Sequence, residues 1–320
     1  MKPLTLDALC DRLLAAKDAL ILTHVNPDGD TVGSAVALYR ILTKLGKRAS
    51  VLPEKEFPRR YAFLLDGIPT EEFAGEHTVI AVDIASPAQL GSFAARFTPD
   101  LQIDHHEFGN PFADHSILPK AAACGEVIFA LAKHLITRGA LDGIDRETAT
   151  ALYAAISSDT GCFCYSNVKQ STHLAAAELL TYGINAAEIN HRLFHTKTKE
   201  QLAAEAYVLS HLSTAKDGKI ALFALSYAEK EALGLPEDAF EAAIDLVRTL
   251  EGAEVAVTLK EKEAGVFKVS LRSTGISVAE TAAAFGGGGH ARAAGCTLRG
   301  KDIDWARTAL LSALELAFPD

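Results

Sequence analysis

Residues 20–34, LILTHVNPDGDTVGS, constrain this chain more than any other stretch. A short apolar run with β-branched Ile21 breaks at His24 into Asn26, Pro27 and Gly29, which reads as a buried strand ending in a tight loop. Thr31 then caps a helix running to Gly46, because Val32, Ala35, Val36, Tyr39 and Leu42 restore an apolar stripe at helical spacing. His24, Asp28 and Asp30 therefore crowd at a strand's C-terminal end, where open α/β sheets bind ligands. Asp-Gly is also a common turn dipeptide and a turn histidine is usually solvated. These three residues alone leave a metal site and a plain loop both open.

The rest of the first half repeats the strand-then-helix order. Residues 5–17 predict an amphipathic helix, 49–53 a short strand, 57–65 a helix, 77–84 (HTVIAVDI) a buried strand and 99–104 (PDLQID) another, with helices over 87–97 and 124–137. That alternation implies a doubly wound parallel sheet. Residues 146–192 turn helical, interrupted by the polar loop SSDTGCFCYSN at 157–167. A helix over 198–213 is followed by a strand at 219–226, a helix at 239–250, paired strands at 253–260 and 266–271, a helix at 277–285 and a closing helix at 305–317. The domain boundary is expected near residues 195–215.

At 320 residues the chain has length for about two domains. No apolar run approaches the ~20 residues that span a bilayer, and residues 1–19 carry Asp7, Asp11 and Asp18 in place of a basic start and an apolar block. No secretory signal is therefore visible, and a cytoplasmic location is expected. Five scattered cysteines without a C-x-x-C pair suit reduced thiols; Cys162 and Cys164, two apart, read as one face of an extended segment. The net charge is −10, and no basic stripe is evident for long nucleic acid, whose affinity would come from counterion release by Lys and Arg. A nucleic-acid substrate should be short, its phosphates met by metal ions and a few cations.

The polar residues at or just past strand ends are His24, Asp28, Asp30, Asp83, Asp104, His105 and His106, with Asp159 in the later loop. Two carboxylates about 4 Å apart repel by roughly 4 kcal/mol at an effective dielectric of ~20, so four would not converge without cations between them. Two divalent ions balance four aspartates, and mixed imidazole and carboxylate ligation suits manganese, iron or zinc better than magnesium. Two ions about 3.5 to 4 Å apart serve in-line attack on phosphorus. Asp104 reads as a supporting group that orients a neighbouring imidazole.

These residues fall into a recognisable series. HVNPDGDTVGS, the VD at 82–83, DHH at 104–106 and DTG at 159–161 resemble, in order, the four motifs of the DHH phosphoesterases; SLRS at 270–273 and GGGGHARAAG at 286–295 resemble their DHHA1 substrate-binding domain. The resemblance covers nearly the whole chain, and its length and motif set are most similar to the nano-RNase type, which degrades oligoribonucleotides of a few residues and removes the 3′-phosphate of pAp. It implies a doubly wound parallel-sheet DHH catalytic domain over 1–195, a linker helix over 196–215 and a smaller α/β DHHA1 domain over 216–320, with the active site in the cleft between them. It implies two divalent ions, manganese first. His24, Asp28 and Asp83 would hold one, and Asp30, Asp83, His105 and Asp159 the other, with Asp83 bridging. His106 would face the scissile phosphate as a hydrogen-bond or proton donor to the leaving oxygen, backed by Asp104. Relatives often carry arginine directly after DTG-x-Phe, where this chain has Cys164.

In the second half, Gly286, Gly287, Gly288 and Gly289 with His290 read either as a flexible turn or as backbone N–H groups open to an anion. The resemblance favours a clamp on the substrate, helped by Arg272 and Ser273, with Arg292 a weaker candidate. The G-x-G-x-x-A pattern follows a helix rather than a strand, so a dinucleotide fingerprint is rejected. HRLFH at 191–195 lacks the glutamate of a zinc protease. The expected activity is manganese-dependent hydrolysis of short RNA and pAp, with no membrane partner, no long nucleic acid, and a homodimer left open. Alternatives are a phosphodiesterase for pApA or cyclic di-AMP, a single-strand exonuclease, and a non-catalytic nucleotide sensor. The complete ligand set argues against the sensor. A family II pyrophosphatase would need a basic phosphate motif in its second domain that this sequence does not show.

Overall fold

The computed structural model describes residues 1–107 and 109–318, in two units, Met1–Thr196 and Lys197–Asp320. The first unit runs α1 (Leu6–Ala15), β1 (Ala19–Leu22), α2 (Gly29–Lys44), β2 (Ala49–Leu52), β3 (Thr78–Val82), α3 (Phe93–Arg96), β4 (Leu101–Asp104), β5 (Asp114–Ile117), α4 (Cys124–Thr137), α5 (Arg146–Asp159), α6 (Gln170–Leu180) and α7 (Ala186–Asn190). Its five strands are all parallel, in the order β2-β1-β3-β4-β5. Ile21, Val51, Ile80, Val82 and Ile103 pack with residues of α1, α2, α4 and α5, whereas Leu20, Leu22, Leu52, Val79 and Ala81 pack with Leu90 and Phe93. A sheet covered on both faces gives continuous apolar runs rather than alternation, as β1 shows. Each buried Leu or Ile contributes about 1.5–3 kcal/mol. With β1 lying between β2 and β3, the order in which strands are added reverses at the β1–β3 pair, the point where a crevice forms at the C-terminal ends of a parallel sheet.

Local detail corrects several sequence expectations. Asp28, not Thr31, caps α2: its Oδ1 accepts from the N–H groups of Asp30 and Thr31 at 3.0 and 3.1 Å. The Thr31 hydroxyl is drawn away to the Val82 carbonyl at 2.9 Å, tying α2 to the end of β3. Behind Pro58, residues Arg59–Leu64 form a 3-10 helix only. Strand β5 was not expected, because its polar DHSI sequence suits a sheet edge. Cys162 does not lie on an extended segment: Gly161, Cys162 and Phe163 have φ of 54°, 55° and 64°, a left-handed reversal. His191–His195 wind as a π-helix, leaving the two imidazole rings 6.4 Å apart.

The second unit runs α8 (Lys199–Ser210), β6 (Ser213–Ala215), β7 (Ile220–Leu225), α9 (Tyr227–Leu233), α10 (Ala243–Val247), β8 (Val255–Glu263), β9 (Val266–Ser273), α11 (Ala279–Ala284), β10 (Gly288–His290), β11 (Ala293–Arg299) and α12 (Ile303–Glu315). Its sheet order is β10-β11-β9-β8-β7-β6, with only β7 and β8 parallel. Val255, Val257, Phe267, Val269 and Leu271 pack on α11 and α12. The opposite face is covered by Ala204 and Val208 of α8 and by α10, but only over β7 and β8. The β9–β11–β10 side of that face is left open. Part of the glycine run, read above as a turn or loop, is thus the edge strand β10, paired with β11. Among the described residues no helix is long and apolar enough to cross a membrane.

Candidate metal centre

The crevice collects the polar residues that end three neighbouring strands. His24 follows β1, Asp83 follows β3, and Asp104 closes β4 ahead of His105 and His106. Asp28 and Asp30 open α2, and Asp159 ends α5. All eight sequence-predicted residues of the first unit come together: His24, Asp28 and Asp83 form one group of ligand atoms, Asp30, His105 and Asp159 a second, and Asp83, Asp104, His105 and His106 a third, each within 4.8 Å.

Asp83 is the centre of the arrangement. Its Oδ2 lies 3.9 Å from His24 Nε2 and its Oδ1 lies 3.5 Å from His105 Nε2. Its φ of 59° is left-handed, at a cost of about 1–2 kcal/mol for a residue with a Cβ. Such strain survives where the surroundings impose it, here through the Asp83 N–H bond to the Ile103 carbonyl at 2.9 Å. Asp83 Oδ1 is buried and has no hydrogen-bond partner among the described residues.

His105 Nε2 also lies 3.6 Å from Asp30 Oδ2 and 3.6 Å from Asp159 Oδ2. Its Nδ1 sits 3.3 Å from the Ala121 carbonyl, which can only accept, so the proton is on Nδ1 and the Nε2 lone pair faces the carboxylates. An imidazole lone pair among three carboxylates calls for a cation. Asp30 is held in place by the α4 N-terminus: Cys124 N–H donates to Oδ2 at 2.6 Å, and Gly125 N–H and the Ser34 hydroxyl donate to Oδ1 at 3.0 Å each. Nothing in the sequence pattern flagged those three donors.

The electrostatics agree. Burial, with the charges of Asp159 and Asp28, pushes the Asp30 carboxyl well above its ordinary value. Burial, with Asp30 and Asp28, does the same to Asp83. Asp159 is pushed up to about 7 by burial and the charge of Asp28. Asp104 behaves differently: burial opposes, but the hydrogen bond and charge of His106 hold its carboxyl below the usual range. For His106, burial is outweighed by the bond from Nδ1 to Asp104 Oδ1 at 2.7 Å, and its pKa rises. Asp104 Oδ1 also accepts the His105 N–H at 2.8 Å. Four carboxylates, two inward imidazoles and an orphaned Asp83 oxygen fit hard or borderline divalent cations.

In the second unit an open trough of about 460 Å³ lies over the uncovered sheet face, lined by Lys268, Ser270, Arg272, Gly288, Gly289 and Thr297 among others. Of the sequence-predicted set it takes in Arg272, Gly288 and Gly289. Ser273, one residue after Arg272 on β9, is buried and accepts the Gly275 N–H at 3.1 Å. Gly287 and Gly289 are needed by the fold: a Cβ would meet the Gly295 carbonyl at 2.2 Å and the Ala293 carbonyl at 2.5 Å. Gly288 opens onto free space, and His290 beside it is exposed. Lys268 was missed by sequence reasoning, and Ser270, inside the SLRS motif, was given no role of its own, although both alternate with Arg272 at the strand period of two.

Comparison with known proteins places this geometry. The family model described as DHH family, N-terminal domain, matches residues 18–156, and that of the DHHA1 domain matches residues 218–316. The bifunctional oligoribonuclease and PAP phosphatase NrnA of Thermus thermophilus is 36% identical, over 92% of this chain and 88% of the relative. The protein of the same name from Bacillus subtilis is 25% identical, over 90% of this chain and 91% of the relative. The crystal structure of an exopolyphosphatase-related protein from Bacteroides fragilis superposes with a TM-score of 0.87 at 25% identity, covering 97% of this chain and 95% of that one. With both domains matched and the relatedness running nearly end to end, the chain belongs to the DHH family of phosphoesterases and carries that family's DHHA1 domain.

Proposed function

We propose that this chain is a manganese-dependent, two-metal phosphohydrolase that takes short oligoribonucleotides to mononucleotides and removes the 3′-phosphate of pAp to leave AMP. The observation that carries the reading is the divided carboxylate of Asp83, with Oδ2 toward His24 and Oδ1 toward His105. That is the disposition of a ligand shared by two cations. The substrate class is supported by the names of the Thermus and Bacillus relatives.

In this reading His24, Asp28 and Asp83 would hold one ion, and Asp30, Asp83, His105 and Asp159 the other. When bound, the ions withdraw charge from the phosphoryl oxygens and make water acidic enough to attack at neutral pH. As the bond from phosphorus to the leaving oxygen breaks, His106 donates that oxygen its Nε2 proton. Asp104 accepts from His106 Nδ1 and so turns Nε2 outward. In the second unit Arg272, Ser273, Gly287, Gly288, Gly289 and His290 form the substrate clamp, with Arg272 and the open Gly288 as its contact groups. The reaction belongs in the cytoplasm, which suits five cysteines that are all free.

The test is one panel with manganese and, separately, magnesium against pAp, pApA, a pentaribonucleotide, cyclic di-AMP, pyrophosphate and RNAs of increasing length. Highest kcat/KM on pAp and on RNAs of two to five residues is expected, falling with length. With 41 acidic residues against 31 basic ones, a net charge of −10, each further phosphate meets net repulsion rather than counterion release. Cyclic di-AMP or pApA turned over far faster than the rest would select the dinucleotide phosphodiesterase. Rising efficiency on long RNA, with a steep salt slope, would select the single-strand exonuclease.

A further inference from the structure

We propose that Asn167 is a positioning residue that fixes the second metal centre by bracketing the segments that carry Asp159, His105 and Asp30; this rests on the ligand set proposed above. Its amide nitrogen lies 2.9 Å from the Ala122 carbonyl and 3.0 Å from the Asp159 carbonyl, one hydrogen to each. One peptide earlier, the Ala121 carbonyl accepts from His105 Nδ1. Two residues on, the amides of Cys124 and Gly125 hold both oxygens of Asp30. A single NH2 group therefore joins the backbone of one ligand to the strip of chain that orients two others, reaching from Asn167 to a carbonyl 45 residues earlier in the sequence.

The direction of the amide follows from its surroundings. Both neighbours are carbonyl oxygens, which only accept, so the nitrogen must face them. Asn167 Oδ1 is buried without a hydrogen-bond partner among the described residues. The site uses the donors of this side chain and leaves its acceptor unmatched, the pattern of a group kept for a specific pair of carbonyls.

Asn167 reaches Asp159 because the intervening chain reverses sharply. Gly161, Cys162 and Phe163 are all left-handed, and the Thr160 carbonyl accepts the N–H groups of Cys164 and Tyr165 at 2.9 and 3.0 Å. Left-handed backbone is disfavoured at residues with a Cβ, so the reversal has to be held from outside. Asn167 supplies that hold at the Asp159 end, and Lys169 Nζ supports it through the Lys120 carbonyl at 2.5 Å. From the sequence, this polar loop offers Asp159 as a ligand but nothing that marks Asn167.

The experiment is calorimetric titration of manganese into the metal-free wild type, Asn167→Ala, Asn167→Asp and Asp159→Asn, with the melting temperature of each metal-free protein and kcat and KM at saturating manganese. Asn167→Ala should weaken manganese binding by about 10-fold or more, the scale expected for a group behind a ligand, while KM for substrate at saturating metal stays unchanged. Asn167→Asp, which turns a carboxylate oxygen toward two carbonyls, should weaken it further. A fall in metal-free melting temperature with unchanged manganese affinity marks a merely structural role and overturns the inference. If Asn167→Ala does not fold, Asn167→Ser keeps one donor and should give an intermediate loss; wild-type affinity there overturns the inference equally. Loss of a site in Asp159→Asn beside wild-type affinity in Asn167→Ala sinks the bracket alone. Equal manganese binding by wild type and Asp159→Asn sinks the ligand assignment, and the bracket with it.

Discussion

His106 Nδ1 lies 2.7 Å from Asp104 Oδ1, while Asp104 Oδ2 is buried and has no hydrogen-bond partner among the described residues. One carboxylate oxygen thus aims the imidazole and the adjoining His105 N–H, and the other is buried at the end of β4. Asp104→Asn should lower kcat by roughly 10- to 100-fold through the misaligned ring, with the manganese concentration for half-maximal rate little changed. Steady-state kinetics over a manganese series reads both. A large rise in the metal requirement would move Asp104 into the ligand set.

Asp83→Asn removes a ligand from both proposed centres at once. Loss of kcat on the order of 1000-fold, about 4 kcal/mol in barrier, should persist at saturating manganese. Calorimetry on the same variant should show both binding steps weakened. Near-wild-type turnover would refute the shared carboxylate.

The raised carboxyls of Asp30, Asp83 and Asp159 predict how the metal-free protein responds to pH. Folded pKa values above the unfolded ones mean that the native state holds protons more tightly. The stability these groups contribute is complete below the unfolded carboxylate range and is lost as pH rises through the folded values, which for Asp159 is about 7. In chelator the melting temperature should therefore fall between pH 5 and pH 8. Manganese in excess should flatten or reverse that slope, because the cation replaces the protons. Scanning calorimetry at several pH values, with and without manganese, makes the comparison.

Gly33 sits where α2 meets α5, and a Cβ there would lie 2.5 Å from the Ala151 carbonyl and 2.9 Å from the Ala155 Cβ. Gly33→Ala forces the helices that carry Asp30 and Asp159 apart. It should destabilise the protein by about 1–3 kcal/mol, as overpacking does, measured by urea unfolding. No change in the unfolding midpoint would show that the pair relaxes freely.

Gly288 and Gly289 separate binding from folding. Gly289 has φ of 138° and no room for a Cβ, so Gly289→Ala should lower the melting temperature. Gly288 has open space, so Gly288→Ala should fold normally and raise KM with kcat nearly unchanged, as should Arg272→Ala, because contacts to remote parts of a substrate act in the ground state too. A collapse of kcat at constant KM in either variant would assign these groups to the chemistry.

The ligand residues were legible because each motif is local: a buried apolar strand that ends in His or Asp declares both its fold and its exposed tip, as at residues 20–24, 79–83 and 101–106. The parallel α/β architecture of the first unit followed from the same runs. The second unit was less legible, since Gly288–His290 pair as an edge strand only when β11 lies beside them.

The sequence by itself determined which residues carry charge to the ends of the strands, because an apolar run buried on both faces of a sheet leaves polar side chains a place only where the run stops. Only the tertiary structure decided what holds them: the Cys124 and Gly125 amides on Asp30, the Ala121 carbonyl on His105 and the Asn167 bracket on Asp159. Two of these bonds join residues 94 and 95 apart in the chain, and all of them use backbone groups that carry no mark of residue type. Composition and spacing are blind to them, and packing sets them.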